Sequence, residues 1–329
     1  MQRWRLSPQR YRLICAVALG LLCVIVVSGA GVRLTGAGLG CDDWPNCNNE
    51  KLIDVSSTHA AIEQVNRLFT GLVAVGVMLA VLGSLARSPR RRDLTWLSLG
   101  LVAGVVGQII LGGITVLVDL HPAAVQGHFL LSMVLVANAV WLLHRAGQPD
   151  GPISRRVSMP TVWHLRLVVV TTLLAIVAGT VVTGAGPHAG DERARRFGID
   201  ISSAAQIHSV AVWIAVATVV SLMWSLRSRP SDRKILDGVL VAWVCVALGQ
   251  AAIGYLQYFT GVPAALVAVH IAGATLLWGV TVWMIAATSE RRLGGSVAEG
   301  ADELDDLFDD RREEAADVAE EVGEGLRAP

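Results

Sequence analysis

The chain has 329 residues, of which 53% are hydrophobic and 16% are charged, and its formal net charge at pH 7 is zero. This composition excludes an ordinary soluble domain and indicates a membrane protein, and we expect no nucleic-acid partner. The zero charge hides an asymmetry, because the residues from 299 onward hold 13 acidic side chains against three basic ones.

Eight apolar stretches, each about 20 residues or longer, suffice to cross a hydrocarbon core of roughly 30 Å. Helices satisfy their own backbone groups in lipid, so the stretches predict eight transmembrane helices. The predicted spans lie near residues 13–34, 62–86, 95–117, 123–144, 163–184, 203–226, 236–258 and 264–288.

We therefore expect an all-α membrane protein built as two tandem four-helix bundles. The predicted organisation is an N-terminal half at 1–144, a cytoplasmic linker at 145–162, a C-terminal half at 163–290 and a disordered acidic tail at 291–329. The linker is rich in glycine and proline, which suits a junction between two units.

Basic residues cluster at alternate ends of the predicted spans. By the positive-inside rule, both termini lie in the cytoplasm and the loops near 35–61, 118–122 and 185–202 lie outside. Arg193, Arg195 and Arg196 run against this pattern, because they fall in an outside loop.

A shift of 142 residues lays one half of the chain on the other. It carries Asn66 onto His208, His128 onto His270, and Gly112 onto Gly254. Because each half has four spans, both copies enter the membrane from the same side. The pattern predicts a parallel repeat about an axis along the membrane normal.

His208 and His270 lie five to six residues into their spans, roughly 8–10 Å below the outer surface at 1.5 Å per residue. Imidazoles at equal depth on two helices are typical of bis-histidine haem ligation. The alternative is that each histidine hydrogen-bonds across helices. The recurrence of the pair in register favours haem.

The first half keeps His128 but has Asn66 in place of the second histidine. Amide side chains are poor iron ligands, so an iron there would be five-coordinate or completed by water, substrate or another residue. His59, seven positions earlier and expected in the loop, is one candidate. An open coordination position suits chemistry, whereas a closed one suits electron transfer.

Glu63 stands one helical turn from Asn66, and its counterpart in the second half is Ala205. It is either a solvated or Arg67-paired carboxylate, or a proton-handling group beside a substrate. Arg67 and Arg33 could bind haem propionates, or they could reach the lipid headgroups.

Cys41 and Cys47 frame a short segment of the first outside loop. The compartment there is oxidising, so a disulfide is expected. A ring this short contributes about 2 kcal/mol in the chain-entropy model, and exposed disulfides also exchange electrons with thiols. Structural and redox roles both stay open.

Together these residues resemble the heme A synthase family across about residues 10–290. The resemblance rests on the loop from Cys41 to Cys47 with Trp44-Pro45, on Glu63-x-x-Asn66-Arg67, and on the three histidines 128, 208 and 270. Members have two four-helix halves, with a b-type haem in the C-terminal half. Many have histidine where this chain has Asn66.

The resemblance implies that His208 and His270 are axial ligands of haem b and that the N-terminal half receives haem O. In this interpretation His128 binds the substrate iron, and Glu63 assists at the reacting methyl group. The product is haem A for cytochrome c oxidase, made by oxidising the C8 methyl to a formyl group in two-electron steps.

The implied setting is a bacterial plasma membrane. Expected partners are haem O synthase, cytochrome c oxidase assembly proteins and an electron donor or acceptor. Two other classes stay open: a quinol-linked diheme b-type electron carrier without chemistry of its own, and a transporter, which the parallel repeat alone would suit.

Overall fold

The structure, a computed structural model, describes residues 5–292 and is built almost entirely from helices. All eight α-helices are long and apolar enough to cross a membrane, as predicted. In chain order the elements are α1 (Pro8–Leu34), α2 (Thr58–Ala86), α3 (Arg92–Leu117), α4 (Pro122–Ala146), β1 (Ile153–Arg155), α5 (Met159–Ala185), α6 (Ile201–Ser225), a 3₁₀ turn (Leu226–Ser228), α7 (Pro230–Phe259), α8 (Ala264–Ala286) and β2 (Ser289–Arg291).

Several helices begin a few residues before the apolar stretches because polar caps extend them. The side chains of Ser7, Ser57 and Asp200 each accept a hydrogen bond from a backbone N–H in the first turn of α1, α2 and α6. Hydrogen bonds from Ser202 and Ser203 hold the pKa of Asp200 below its usual value.

Helices α1 to α4 form a closed bundle, in which each helix packs on the next and α4 returns to α1. The buried core includes Tyr11, Val77, Leu94 and Leu101. The hydroxyl of Tyr11 hydrogen-bonds Oγ of Ser98 at 3.0 Å, so both of these buried hydroxyl groups are satisfied.

In the second half α5 packs on α6, α7 packs on α8, and α5 packs on α8. Helices α6 and α7 approach each other closely only near the 3₁₀ turn, where Leu222, Leu226 and Leu236 share a buried cluster. The two helices therefore diverge toward the end of the bundle that carries His208.

The two halves meet along α1, α4, α5 and α8. Met133 and Val140 of α4 pack there with Trp278 and Val282 of α8. The indole N–H of Trp278 donates to the carbonyl of Met133 at 2.8 Å, and Gln126 donates to Thr180 at 2.7 Å. The seam is thus apolar with a few hydrogen bonds that fix its register.

All eight helices belong to one compact unit, residues 5–148 with 155–290. A second unit contains, among the described residues, 149–154 and 291–292, where Arg291 donates to the carbonyl of Gly151 at 2.7 Å. Strands β1 and β2 form a two-stranded sheet that the sequence did not predict. The predicted acidic tail lies outside the described residues, apart from 291 and 292.

Candidate functional site

The imidazoles of His208 on α6 and His270 on α8 face each other across the second half. Their ring centroids lie 6.4 Å apart and their planes are nearly perpendicular, at 84°. Two metal–nitrogen bonds of about 2 Å each, plus half the width of each ring, require a separation of roughly 6 Å. The pair therefore fits a single metal ion held between the rings.

Backbone hydrogen bonding also suits His208 to this role. Its Nδ1 lies 2.9 Å from the carbonyl oxygen of Ala175 on α5, which can only accept. The proton therefore sits on Nδ1, and the lone pair of Nε2 is left for a metal. Nδ1 of His270 is buried and finds no hydrogen-bond partner within residues 5–292.

Glycines on the neighbouring helices leave space for the imidazoles of His208 and His270, because they have no Cβ atom. A Cβ added at Gly179 would lie 3.1 Å from Cε1 of His208, and one at Gly254 would lie 3.4 Å from Cε1 of His270. Each ring edge thus rests directly against helix backbone. A larger residue at Gly179 would have to displace the ring.

His128 on α4 repeats the pose of His270. A Cβ at Gly112 would lie 3.2 Å from Cε1 and 3.7 Å from Nδ1 of His128. Nδ1 of His128 is likewise buried without a hydrogen-bond partner in the described part of the chain. The same edge of each ring, Cε1 and Nδ1, therefore rests against a glycine of the neighbouring helix in both halves.

Asn66 lies on α2, at the position that His208 occupies on α6. Its Oδ1 accepts a hydrogen bond of 2.8 Å from Oγ of Ser28 on α1. The ends of α1 and α5 match at an offset of 148 residues, with Thr-Gly-Ala-Gly at 35–38 and again at 183–186. At that offset the residue that matches Ser28 is Ile176, which has no hydroxyl, so this pair exists in the first half alone. Sequence reasoning missed Ser28; its hydroxyl within an apolar span was the only available signal.

Glu63 is buried, with 6% of its surface exposed, and its carboxylate is fully engaged. One oxygen accepts from the backbone N–H of Cys41 at 2.8 Å. The other accepts from Nε and Nη2 of Arg67 at 3.0 and 2.6 Å. The ion pair of Glu63 with Arg67, one of the two interpretations that the sequence offered, is therefore present.

Arg67 also organises the loop between Cys41 and Cys47, which form a disulfide. Its guanidinium donates to the carbonyl oxygens of Asp43 and Asn46 and lies 5.6 Å from the ring centroid of Trp44. The loop is thus folded around one buried ion pair.

Trp44 packs the loop against α3. A Cβ at Gly113 on α3 would lie 2.5 Å from the indole, so the indole rests on the backbone there. Gly113 follows Gly112, the glycine that contacts His128, but adjacent residues of a helix point in different directions. The disulfide loop is thus held by Glu63 and Arg67 of α2 and by the backbone of α3.

Arg33 at the end of α1 points to protein rather than to headgroups. Its Nε donates to the carbonyl of His188 at 2.5 Å, and its Nη2 donates to that of Thr183 at 3.2 Å. His188 in turn hydrogen-bonds the carbonyl of Val262 at 2.8 Å. His59 lies in the first turn of α2, not in the loop as expected, and its side chain is exposed.

Eight membrane-length helices with histidines paired at matching depth define a multi-pass membrane protein with candidate haem sites. A family model described as cytochrome oxidase assembly protein matches residues 12–64 and 52–282. The chain belongs to the heme A synthase family, as its resemblance predicted.

Curated relatives match over most of their length at modest identity. The heme A synthase of Bacillus mycoides (strain KBAB4) is 25% identical over 276 residues, covering 80% of this chain and 88% of the relative. That of Listeria welshimeri is 25% identical over 290 residues, covering 83% and 94%. That of Bacillus cereus (strain ATCC 14579) is 23% identical over 297 residues, covering 84% and 93%.

Proposed function

We propose that this protein is a heme A synthase, which oxidises the C8 methyl group of haem O to the formyl group of haem A. The observation that carries the proposal is the facing pair His208 and His270 at 6.4 Å, with His128 in the same pose in the other half. Membership of the family supports the substrate.

In the C-terminal half, His208 and His270 are the residues that would hold haem b. Haem b bound there supplies one-electron transfer. The carbonyl of Ala175 fixes the tautomer of His208, and the bare backbone at Gly179 and Gly254 lets both rings stand edge-on to their helices. The divergence of α6 from α7 suits a wide planar ring between the helices.

In the N-terminal half, His128 would bind the iron of the substrate, haem O. Ser28 holds the carboxamide of Asn66, the repeat counterpart of His208, and an amide ligates iron poorly. The coordination position across from His128 therefore stays open to water or another small ligand. A site with one open position suits chemistry, and this separates it from the closed site of the other half.

Glu63 is the proposed catalytic residue beside the reacting methyl group. Arg67 and the N–H of Cys41 fix the direction of its carboxylate, as a group that stabilises developing positive charge requires. In this proposal the loop with Trp44 limits the access of water to Glu63.

Arg33 and Arg67 are proposed contacts for haem propionates. Both guanidinium groups already donate hydrogen bonds to backbone carbonyls of the protein, so a propionate would be one more acceptor for each. For Arg33 the Nη1 group is the part that would face a carboxylate, because Nε and Nη2 bond the backbone carbonyls of His188 and Thr183.

The proposed architecture is a parallel tandem repeat with both termini in the cytoplasm of a bacterial plasma membrane. In its support, α3 and α7 end at Leu117 and Phe259, and α4 and α8 begin at Pro122 and Ala264, so both boundaries recur after the same 142 residues. The proposed halves are 1–144 and 163–290, joined by 145–162. Haem O synthase, oxidase assembly proteins and an electron donor or acceptor are the proposed partners.

Co-expression with a haem O synthase tests the proposal against a diheme electron carrier. We expect extracted pigment from the membranes to contain haem A when this chain is present. Unchanged haem O, together with two b-type haems on the purified protein, would instead identify a carrier. A colourless purified protein would contradict both and favour a transporter.

A further inference from the structure

A groove opens on the side of the bundle between α4, α5 and α8, at a distance from His208 and His270. Its volume is about 610 Å³, and its walls are apolar, with Trp141, Trp163 and aliphatic side chains. Arg166 and Thr288 supply its polar groups. The groove lies on the seam where α4 of the first half meets α5 and α8 of the second.

Arg166 provides an available positive charge at this groove. Its side chain is exposed, and its guanidinium carbon lies 4.4 Å from the ring centroid of Trp163. No carboxylate of the described residues lies within salt-bridge distance of it. A cation stacked on an exposed tryptophan, about 10 Å from the start of a membrane helix, is typical of the headgroup level.

The second tryptophan of the groove, Trp141, also has an arginine near its ring. The guanidinium of Arg145 lies 5.7 Å from the ring of Trp141 and donates to Gln148 and Ser289. This arginine is buried, so the exposed cation of the groove is Arg166. Both tryptophans of the groove have a guanidinium close to the ring.

We propose that this groove binds an anionic phospholipid. The phosphate would pair with Arg166, whose planar fork suits phosphate oxygens, and an acyl chain would lie along the apolar walls. Basic pockets between transmembrane helices on the cytoplasmic side favour lipids of this charge. Because the groove spans the seam, a bound lipid would bridge the two halves.

The proposal is independent of the haem chemistry. Arg166 lies 13 residues before Gly179 on α5, roughly 20 Å along the helix. If the groove binds no anionic lipid, the proposal for the histidine sites is unaffected. If the protein binds no haem, the proposal for the groove is unaffected.

The test uses the full chain, purified in mild detergent and titrated with phosphatidylglycerol or phosphatidylcholine, with bound lipid counted by native mass spectrometry. We expect preferential retention of phosphatidylglycerol. Replacing Arg166→Gln should weaken its binding about fivefold, since a basic residue near an anionic surface contributes a factor of that order. Val170→Trp, which fills the groove and keeps the charge, should also reduce retention.

Arg227→Gln is the matched control. Arg227 lies 4.4 Å from the ring of the exposed Trp224, the same distance as in the groove, but neither residue lines the groove. We expect this variant to bind phosphatidylglycerol like the unaltered protein. Equal binding by the Arg166→Gln variant, or an equal loss in the Arg227→Gln variant, would overturn the proposal. The proposal would also be overturned if an uncharged isoprenoid quinone displaced the lipid and did so equally well in the Arg166→Gln variant.

Discussion

Ser28 on α1 donates a hydrogen bond of 2.8 Å to Asn66 on α2, at the position where the second half carries His208. This contact gives the first half a neutral, fixed amide in place of a second imidazole. At this position the two halves differ by one hydrogen-bonded pair. It separates a proposed closed site for electron transfer from a proposed open site for chemistry.

Replacing Asn66→His should close the first site. The new imidazole would face His128 as His208 faces His270, so bound haem O should become six-coordinate and lose its affinity for carbon monoxide. Optical spectra with and without carbon monoxide measure this. Ser28→Ala, which releases Asn66 without adding a ligand, is the control and should keep carbon monoxide binding. Loss of haem from the C-terminal half in the Asn66→His variant would contradict the independence of the two sites.

Replacing Gly179→Val should weaken the C-terminal haem site. The added side chain meets Cε1 of His208, already 3.1 Å from a Cβ, and would rotate the ring from its hydrogen bond to Ala175. Disturbed support of a metal ligand lowers affinity by about 10–100-fold. The haem b content per protein measures the effect. Gly249→Val on exposed α7, where a Cβ meets nothing within 4 Å, should retain full haem.

Replacing Glu63→Ala should destabilise the disulfide-loop end of the protein. It leaves Arg67 largely buried without its carboxylate, a change that costs about 3 kcal/mol of unfolding free energy. Chemical denaturation in detergent measures this. Lys51→Ala removes an exposed pair with Asp54 and should cost less than about 1 kcal/mol.

Glu63→Gln separates the structural role of this residue from its proposed catalytic role. The amide keeps the size and one acceptor oxygen of the carboxylate. We expect a folded protein that retains haem b but converts haem O poorly. Full conversion by this variant would show that Glu63 serves the loop alone.

Asp232 on α7 should contribute more to stability than the exposed Asp237 on the same helix. Its buried carboxylate accepts from Oγ of Ser158 at 2.6 Å and from Oγ1 of Thr161 at 2.7 Å, and so ties α7 to the start of α5. Asp232→Ala should lower the unfolding free energy by about 2 kcal/mol. Asp237→Ala is the control, because it removes only a surface ion pair with Arg233. If it lowers the unfolding free energy as much as Asp232→Ala does, this account is contradicted.

Hydropathy and the internal repeat predicted much of this fold. The eight spans and the depth of His208 and His270 follow from where apolar residues and imidazoles fall along the chain. The starts of α1 and α6 were missed by a few residues, because Ser7 and Asp200 are polar yet extend their helices as caps.

Contacts between distant segments could not be predicted in the same way. Arg33 donates a hydrogen bond to the carbonyl of His188, 155 residues away, and neither local sequence predicts this contact. The groove at Arg166 likewise depends on which helices become neighbours. Hydropathy reports which residues enter the membrane and leaves their lateral order undetermined.

Haem content and spectra of the purified protein test the central claim most directly. One b-type haem per chain with a low-spin spectrum is expected, and it should be absent from both the His208→Ala and His270→Ala variants. The His144→Ala variant, whose histidine lies beside Trp283 near the other end of α4, should keep it. A full low-spin b-type spectrum that survives the loss of both His208 and His270 would contradict the account.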